Sequence, residues 1–142
     1  MEKANSSSVC NINYHFVWCP KYRKKVLDGA LGSALQKIIE AICISRNWEI
    51  IELKVMPDHI HLFVSPMPYD SPTAIIKILK GVSARLLFKQ YPELVKNFRR
   101  GHIWSPSYYI GTAGNMSAET IQRYIQQQET QDGRFKRNSS PV

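Results

Sequence analysis

The hydrophobic positions of this chain change period as it runs. Residues 11–20, NINYHFVWCP, alternate and are rich in aromatic and β-branched side chains, which predicts a strand. The basic run KYRKKVLDG follows and reads as a loop or strand extension. From about Gly29 to Asn47 the apolar residues Leu31, Leu35, Ile38, Ile39 and Ile42 recur at helical spacing. Residues 48–57 alternate again, and 58–66 form a third strand joined to the second at Pro57-Asp58, so the two predict a hairpin. A second helix lies within 69–94, with Ser71 as N-cap, Pro72 at the first helical position, and an apolar face of Ile75, Ile76, Leu79, Val82, Leu86 and Leu87. A loop over 95–106, a fourth strand over 107–114, and a last helix from 118 capped by Ser117 complete the pattern. The order β-α-β-β-α-β predicts an α+β, ferredoxin-like (RRM-like) fold: an antiparallel sheet with helices on one face and an added C-terminal helix. The ends, roughly 1–9 and 133–142, are polar and expected to be poorly ordered.

Length agrees with one domain over 1–142 and a core at about 11–131. A chain of 142 residues buries about 68–70% of its unfolded surface. No apolar run approaches the roughly 20 residues that cross a membrane, and residues 1–10 lack the basic-then-apolar order of a secretory signal. The expectation is a soluble, cytoplasmic protein. Its three cysteines, Cys10, Cys19 and Cys43, form no CxxC pair, which disfavours a disulfide framework and a cysteine zinc site.

Charge adds a direction. Nineteen Lys and Arg against eleven Asp and Glu give +8. The excess is clustered at 21–25, along Lys77, Lys80, Arg85 and Lys89, at 98–100 and at 133–137. Such clustering fits a polyanion, most often nucleic acid, although a solvated basic surface has the same composition.

Against this background the run MPDHIHLFVSP (56–66) is unusual. Residues i and i+2 of a strand share a face, so His59 and His61 project together, on the order of 6–7 Å apart at the backbone. Phe63 shares their face, while Ile60, Leu62 and Val64 point to the helices. The pair is either two packed strand histidines or two ligands of one divalent ion, which they can hold only when neutral. Asp58 falls at the turn, where its expected role is turn chemistry.

The last helix, AETIQRYIQQQET, is nearly all polar, with Ile121 and Ile125 to dock it. Tyr124 and Gln128 are four residues apart and share a helical face. That face presents a phenol nucleophile beside a neutral oxygen ligand, or else a ring that merely packs. Taken together, His59, His61 and the Gln128 amide supply three metal ligands, Tyr124 a nucleophile, and the basic surface a site for a phosphodiester.

With these residues in place, the chain resembles the HUH endonuclease superfamily, specifically the small single-tyrosine transposases of bacterial and archaeal insertion sequences. His59-Ile60-His61, Tyr124 and Gln128 carry the resemblance, supported by YHFVWCPKYRKKVL (14–27) and WSPSYYIGTAG (104–114), over about residues 11–131. It implies Tyr124 as catalytic nucleophile, His59, His61 and Gln128 as metal ligands, and Mg²⁺ or Mn²⁺ as cofactor. It implies cleavage and rejoining of single-stranded DNA through a 5′-phosphotyrosine, on hairpin-bearing element ends. It also implies a homodimer in which the tyrosine helix can be exchanged, with the site formed in cis or in trans, and association with the nucleoid when bound to DNA. Gly111 and Gly114 are candidate hinges for that helix or equally turn glycines, and the tyrosines at 108–109 either stack bases or pack in the strand core or at a dimer contact. Lys21, Arg23, Lys24, Lys80, Arg85, Arg99 and Arg100 are nominated as DNA contacts. Two readings compete: a related HUH nuclease acting on chromosomal hairpin repeats, and a non-catalytic RRM-like nucleic-acid-binding domain.

Overall fold

In the computed structural model, residues 12–98 and 102–112 are described, with 3–4, 9–10, 119–120, 122–124 and 126–127. Side chains alternate along β3 (Tyr14–Trp18) and β5 (His59–Ser65), and that alternation builds the core. Phe16 and Trp18 of β3 lie beside Leu62 and Ile60 of β5, and with Val64 they form an aliphatic and aromatic face. Helices α1 (Gly29–Ser45) and α2 (Pro72–Gln90) cover that face with Leu35, Ile38, Ile39, Ile42, Ile75, Ile76, Leu79 and Leu87. Each helix therefore buries the stripe that its apolar period predicts. The Ser71 hydroxyl accepts from the Ala74 N–H at 3.2 Å, so α2 starts at the expected cap.

The four-stranded sheet has the order β4-β5-β3-β6, with β4 at Glu49–Met56 and β6 at Tyr109–Gly111, and every neighbouring pair is antiparallel. This is the ferredoxin-like arrangement of an α+β chain. The β4–β5 hairpin closes through the two-residue turn Pro57-Asp58, with Met56 opposite His59. Sequence alternation along β4 breaks at Ile50-Ile51, and a bulge explains it: the register shifts between Ile50 and Glu52. Ile51 turns outward at 45% exposure, which lets Ile50, Leu53 and Val55 all pack on the core.

Three details differ from the expected pattern. The predicted first strand begins at Tyr14, and the basic run after it forms a 3-10 turn at Lys21–Arg23. The predicted loop over 95–106 is partly core, since Phe98, Ile103 and Trp104 are buried and Trp104 meets Trp18 edge-on at 6.1 Å. Near the N-terminus, where polar composition predicts little order, β1 (Lys3–Ala4) pairs with β2 (Val9–Cys10). Cys43 is core filler: burial, with a smaller effect from Glu40, pushes its thiol up to about 12. No helix among the described residues is long and apolar enough to cross a membrane.

Candidate active site

The face of the sheet away from α1 and α2 carries the histidines. His59, His61 and Phe63 alternate onto it from β5, and the register sets Val17 opposite His61 and His15 opposite Phe63. Beyond β3, Tyr109 of β6 lies opposite Val17. On the other side Lys54 stands opposite His61 and Met56 opposite His59. The pair is thus not part of the aliphatic core, yet it is shielded, with His61 only 6% exposed.

Each ring has partners. His15 Nδ1 and His61 Nε2 lie 3.0 Å apart, a hydrogen bond in which one ring donates and the other accepts. His15 is also stacked on Phe63, with centroids 3.9 Å apart. The other nitrogen of His61, Nδ1, is 3.6 Å from Glu52 Oε1, a carboxylate that reaches this face because of the bulge at Ile51. Burial, and then the neighbouring His15, lower the pKa of His61, with Glu52 opposing them. His61 is therefore favoured in the neutral form, the form metal ligation requires, with its Nε2 engaged by His15 and its Nδ1 facing Glu52. His59 Nδ1 lies 2.9 Å from Asp58 Oδ1, and Asp58 Oδ2 lies 3.4 Å from Arg23 Nε.

Tyr124 arrives on the same face from its own chain. Residues 119–120, 122–124 and 126–127 are helical, and the ring of Tyr124 packs against Val17 and Cys19. Tyr109 meets that ring edge-on at 6.4 Å. Because Val17 is the cross-strand neighbour of His61, phenol and imidazole are placed around one patch of sheet. Gln128 lies outside the described residues, as do Ile121, Ile125, Ser117 and Gly114. Among the described residues no three His, Cys, Asp or Glu side chains gather to hold a metal. The histidine pair offers two imidazoles, and a third ligand has to come from another residue type or from residues outside that set.

Sequence reasoning left His15, Glu52 and Asp58 without a role at this site. Asp58 was readable in part, since a turn residue beside a strand histidine can reach its ring, but its assignment to turn chemistry missed this contact. His15 and Glu52 depend on cross-strand register, for which a single strand's pattern holds no signal. At Gly111 a Cβ would stand 3.0 Å from Tyr109 Cε1 and 3.1 Å from its Oη, so its bareness makes room for the tyrosine ring. Tyr109 in turn packs edge-on against Tyr124, in keeping with the packing alternative for the tyrosines at 108–109.

The nominated basic residues divide. The Lys80 ammonium donates to the Ser105 and Ser107 carbonyls at 2.7 and 3.3 Å and so ties α2 to the segment before β6. Lys24 donates to the Asn97 carbonyl at 2.6 Å, Arg23 faces Asp58, and Lys21 lies 5.8 Å from the Tyr22 ring centroid. Arg85 is exposed on α2 and borders an open cleft of about 490 Å³ with Phe88, His102 and Trp104. That cleft is on the helix side of the sheet, away from His59 and His61. Arg99 and Arg100 lie outside the described residues.

Similarity to known proteins bears on this arrangement. The family described as "Transposase IS200 like" matches residues 8–128. The chain is 38% identical over 130 residues to the ISDra2 transposase TnpA of Deinococcus radiodurans, covering 92% of this chain and 93% of that one. It is 32% identical over 140 residues to the transposase for insertion sequence element IS200 of Salmonella typhimurium, covering 99% and 91%. Among solved structures, a Deinococcus radiodurans R1 protein described as a transposase superposes with a TM-score of 0.82 at 34% identity, over 89% of this chain and 97% of that one. A REP-associated tyrosine transposase bound to a REP hairpin superposes with a TM-score of 0.55 at 16% identity, over 88% and 68%, which is a likeness of fold.

Proposed function

This chain belongs to the IS200-like transposase family, single-tyrosine enzymes of the HUH superfamily, and from that premise we propose that it cuts and rejoins single-stranded DNA through a covalent link to Tyr124. The observation that carries the reading is the docking of Tyr124 against Val17, on the sheet face that holds His59 and His61. The proposed catalytic unit is one domain spanning 1–142.

The phenol oxygen of Tyr124 attacks the scissile phosphorus and forms an O–P bond. The P–O3′ bond breaks, the phenol proton passes to solvent, and the leaving 3′-oxygen takes one proton from solvent to become a hydroxyl. The product is a 5′-phosphotyrosine. A different 3′-hydroxyl then reverses the step, so the number of phosphodiester bonds is conserved and no ATP is needed. A free phenol has a pKa near 10, which makes Tyr124 a weak nucleophile at neutral pH. Packing of its ring against Val17 and Tyr109 offsets part of this by fixing the nucleophile in place.

His59, His61 and Gln128 are the residues that would hold a divalent ion. When bound, Mg²⁺ or Mn²⁺ supplies a Lewis acid at the scissile phosphate. Imidazole ligands suit Mn²⁺ better than Mg²⁺. The substrate class is a single strand bearing a hairpin, supported by the fold neighbour solved with one. Identity of 38% to an insertion-sequence transposase favours element ends over chromosomal repeats. Arg85 and the cleft beside it are the proposed phosphate-facing surface. A homodimer, with exchange of the tyrosine helix between subunits, fits the same reading.

The test is a denaturing gel of protein incubated with labelled single-stranded element-end DNA and Mn²⁺. Wild type is expected to give a covalent DNA–protein band that chelator abolishes, and His61→Ala is expected to lose the band while still binding DNA. Absence of the band in wild type, with DNA bound and metal present, overturns the reading.

A further inference from the structure

Resting on the metal reading of the histidine pair, we infer that Asp58 and Arg23 are positioning residues that fix the His59 ring with Nε2 as its ligand nitrogen. An ionised carboxylate has no hydrogen to donate, so in the 2.9 Å contact between Asp58 Oδ1 and His59 Nδ1 the ring nitrogen is the donor. A neutral imidazole carries one N–H. Placing it on Nδ1 leaves the lone pair on Nε2 and stops the ring from turning over. Metal-binding histidines depend on such outer contacts for tautomer and orientation.

Arg23 extends the chain of contacts. Its Nε lies 3.4 Å from Asp58 Oδ2, the oxygen that His59 leaves free. Arg23, Asp58 and His59 side chains are 23%, 19% and 16% exposed, so solvent screens the set only in part. The local backbone is built to bring Arg23 there. Tyr22 and Arg23 have φ of 61° and 52°, the left-handed region that non-glycine residues seldom occupy. The Lys21 N–H donates to the Ile103 carbonyl at 2.7 Å and the Arg23 N–H to the Pro20 carbonyl at 2.9 Å, which hold the turn in that form. Four residues past Arg23, the Leu27 N–H donates to the Pro57 carbonyl at 3.0 Å and pins the hairpin turn that carries Asp58. A left-handed turn and a tied-down hairpin tip thus meet at one carboxylate.

This role differs from a phosphate contact for Arg23, because it acts without DNA. Long-range ¹H–¹⁵N NMR on metal-free ¹⁵N-labelled protein at pH 8 should show His59 as the Nδ1–H form, and Asp58→Ala should move it toward Nε2–H. In DNA-free Mn²⁺ titrations followed by EPR, Asp58→Ala should weaken binding about 10–100-fold. Arg23→Gln should weaken it several-fold, with part regained in Arg23→Lys, at unchanged thermal midpoint. An unmoved tautomer in Asp58→Ala, or Mn²⁺ affinity within about twofold of wild type in both Asp58→Ala and Arg23→Gln, overturns the inference. If wild type itself binds no Mn²⁺, the metal reading of the pair fails and this inference fails with it. If wild type binds and the variants bind equally, the positioning role alone is lost.

Discussion

His61 sits between His15 and Glu52 on a shielded strand, and burial is the larger influence on it. Its pKa in the fold is lowered from the ordinary value of 6.5. The unfolded chain therefore takes up a proton near pH 6.5 that the folded chain resists. The stability this group contributes is complete above that pH and is lost as pH falls through the lowered value. In chelator-treated protein, the thermal midpoint should decline from pH 6.5 toward 5, and His61→Asn should decline less steeply. Equal slopes would remove His61 from the account. At this scale the strand period revealed that His59 and His61 share a face. It could not reveal His15, 46 residues earlier, because that contact is made by the register of β3 against β5.

The elements that place Tyr124 depend on small allowances in the backbone. Without a side chain at Gly111, the Tyr109 ring folds back over the end of β6 and presents its edge to Tyr124. Gly111→Ala puts a methyl group 3.0 Å from that ring, so the ring must give by a few tenths of an ångström and shift its edge against Tyr124. We expect cleavage a few-fold slower, since the nucleophile's support moves by well under ~1 Å, with DNA binding retained. Unchanged single-turnover cleavage would separate the Tyr109–Tyr124 contact from catalysis. The two helices, the hairpin at Pro57-Asp58 and the cap at Ser71 were legible because each rests on local pattern. The bulge at Ile51 and the buried Phe98, Ile103 and Trp104 were not. A bulge looks in sequence like a lapse in alternation, and an irregular core segment has no period.

For the whole molecule, the order of elements was enough to anticipate an antiparallel sheet with helices on one face, since few topologies suit β-α-β-β-α-β. Surface charge was less legible: a count of +8 does not distinguish a lysine facing solvent from one serving the fold. Lys80 is spent on the Ser105 and Ser107 carbonyls, whereas Arg85 stays exposed at the cleft. In fluorescence-anisotropy titrations of single-stranded DNA across a range of salt concentrations, Arg85→Ala should flatten the slope of log K against log salt by about 0.7, the loss of one phosphate contact. Lys80→Ala should instead lower the thermal midpoint. The reverse pattern would exchange their roles.

Whether Tyr124 joins DNA through a 5′-phosphate is read by trapping the adduct with Mn²⁺ and element-end DNA, trimming the DNA with nuclease, and mapping tryptic peptides by mass spectrometry. Cleavage after Arg123 makes Tyr124 the first residue of its peptide, which runs to Arg134. The expected result is a 5′-linked nucleotide on that residue, and no adduct in Tyr124→Phe. A nucleotide on any other residue, or strand cleavage that proceeds in Tyr124→Phe, would contradict it.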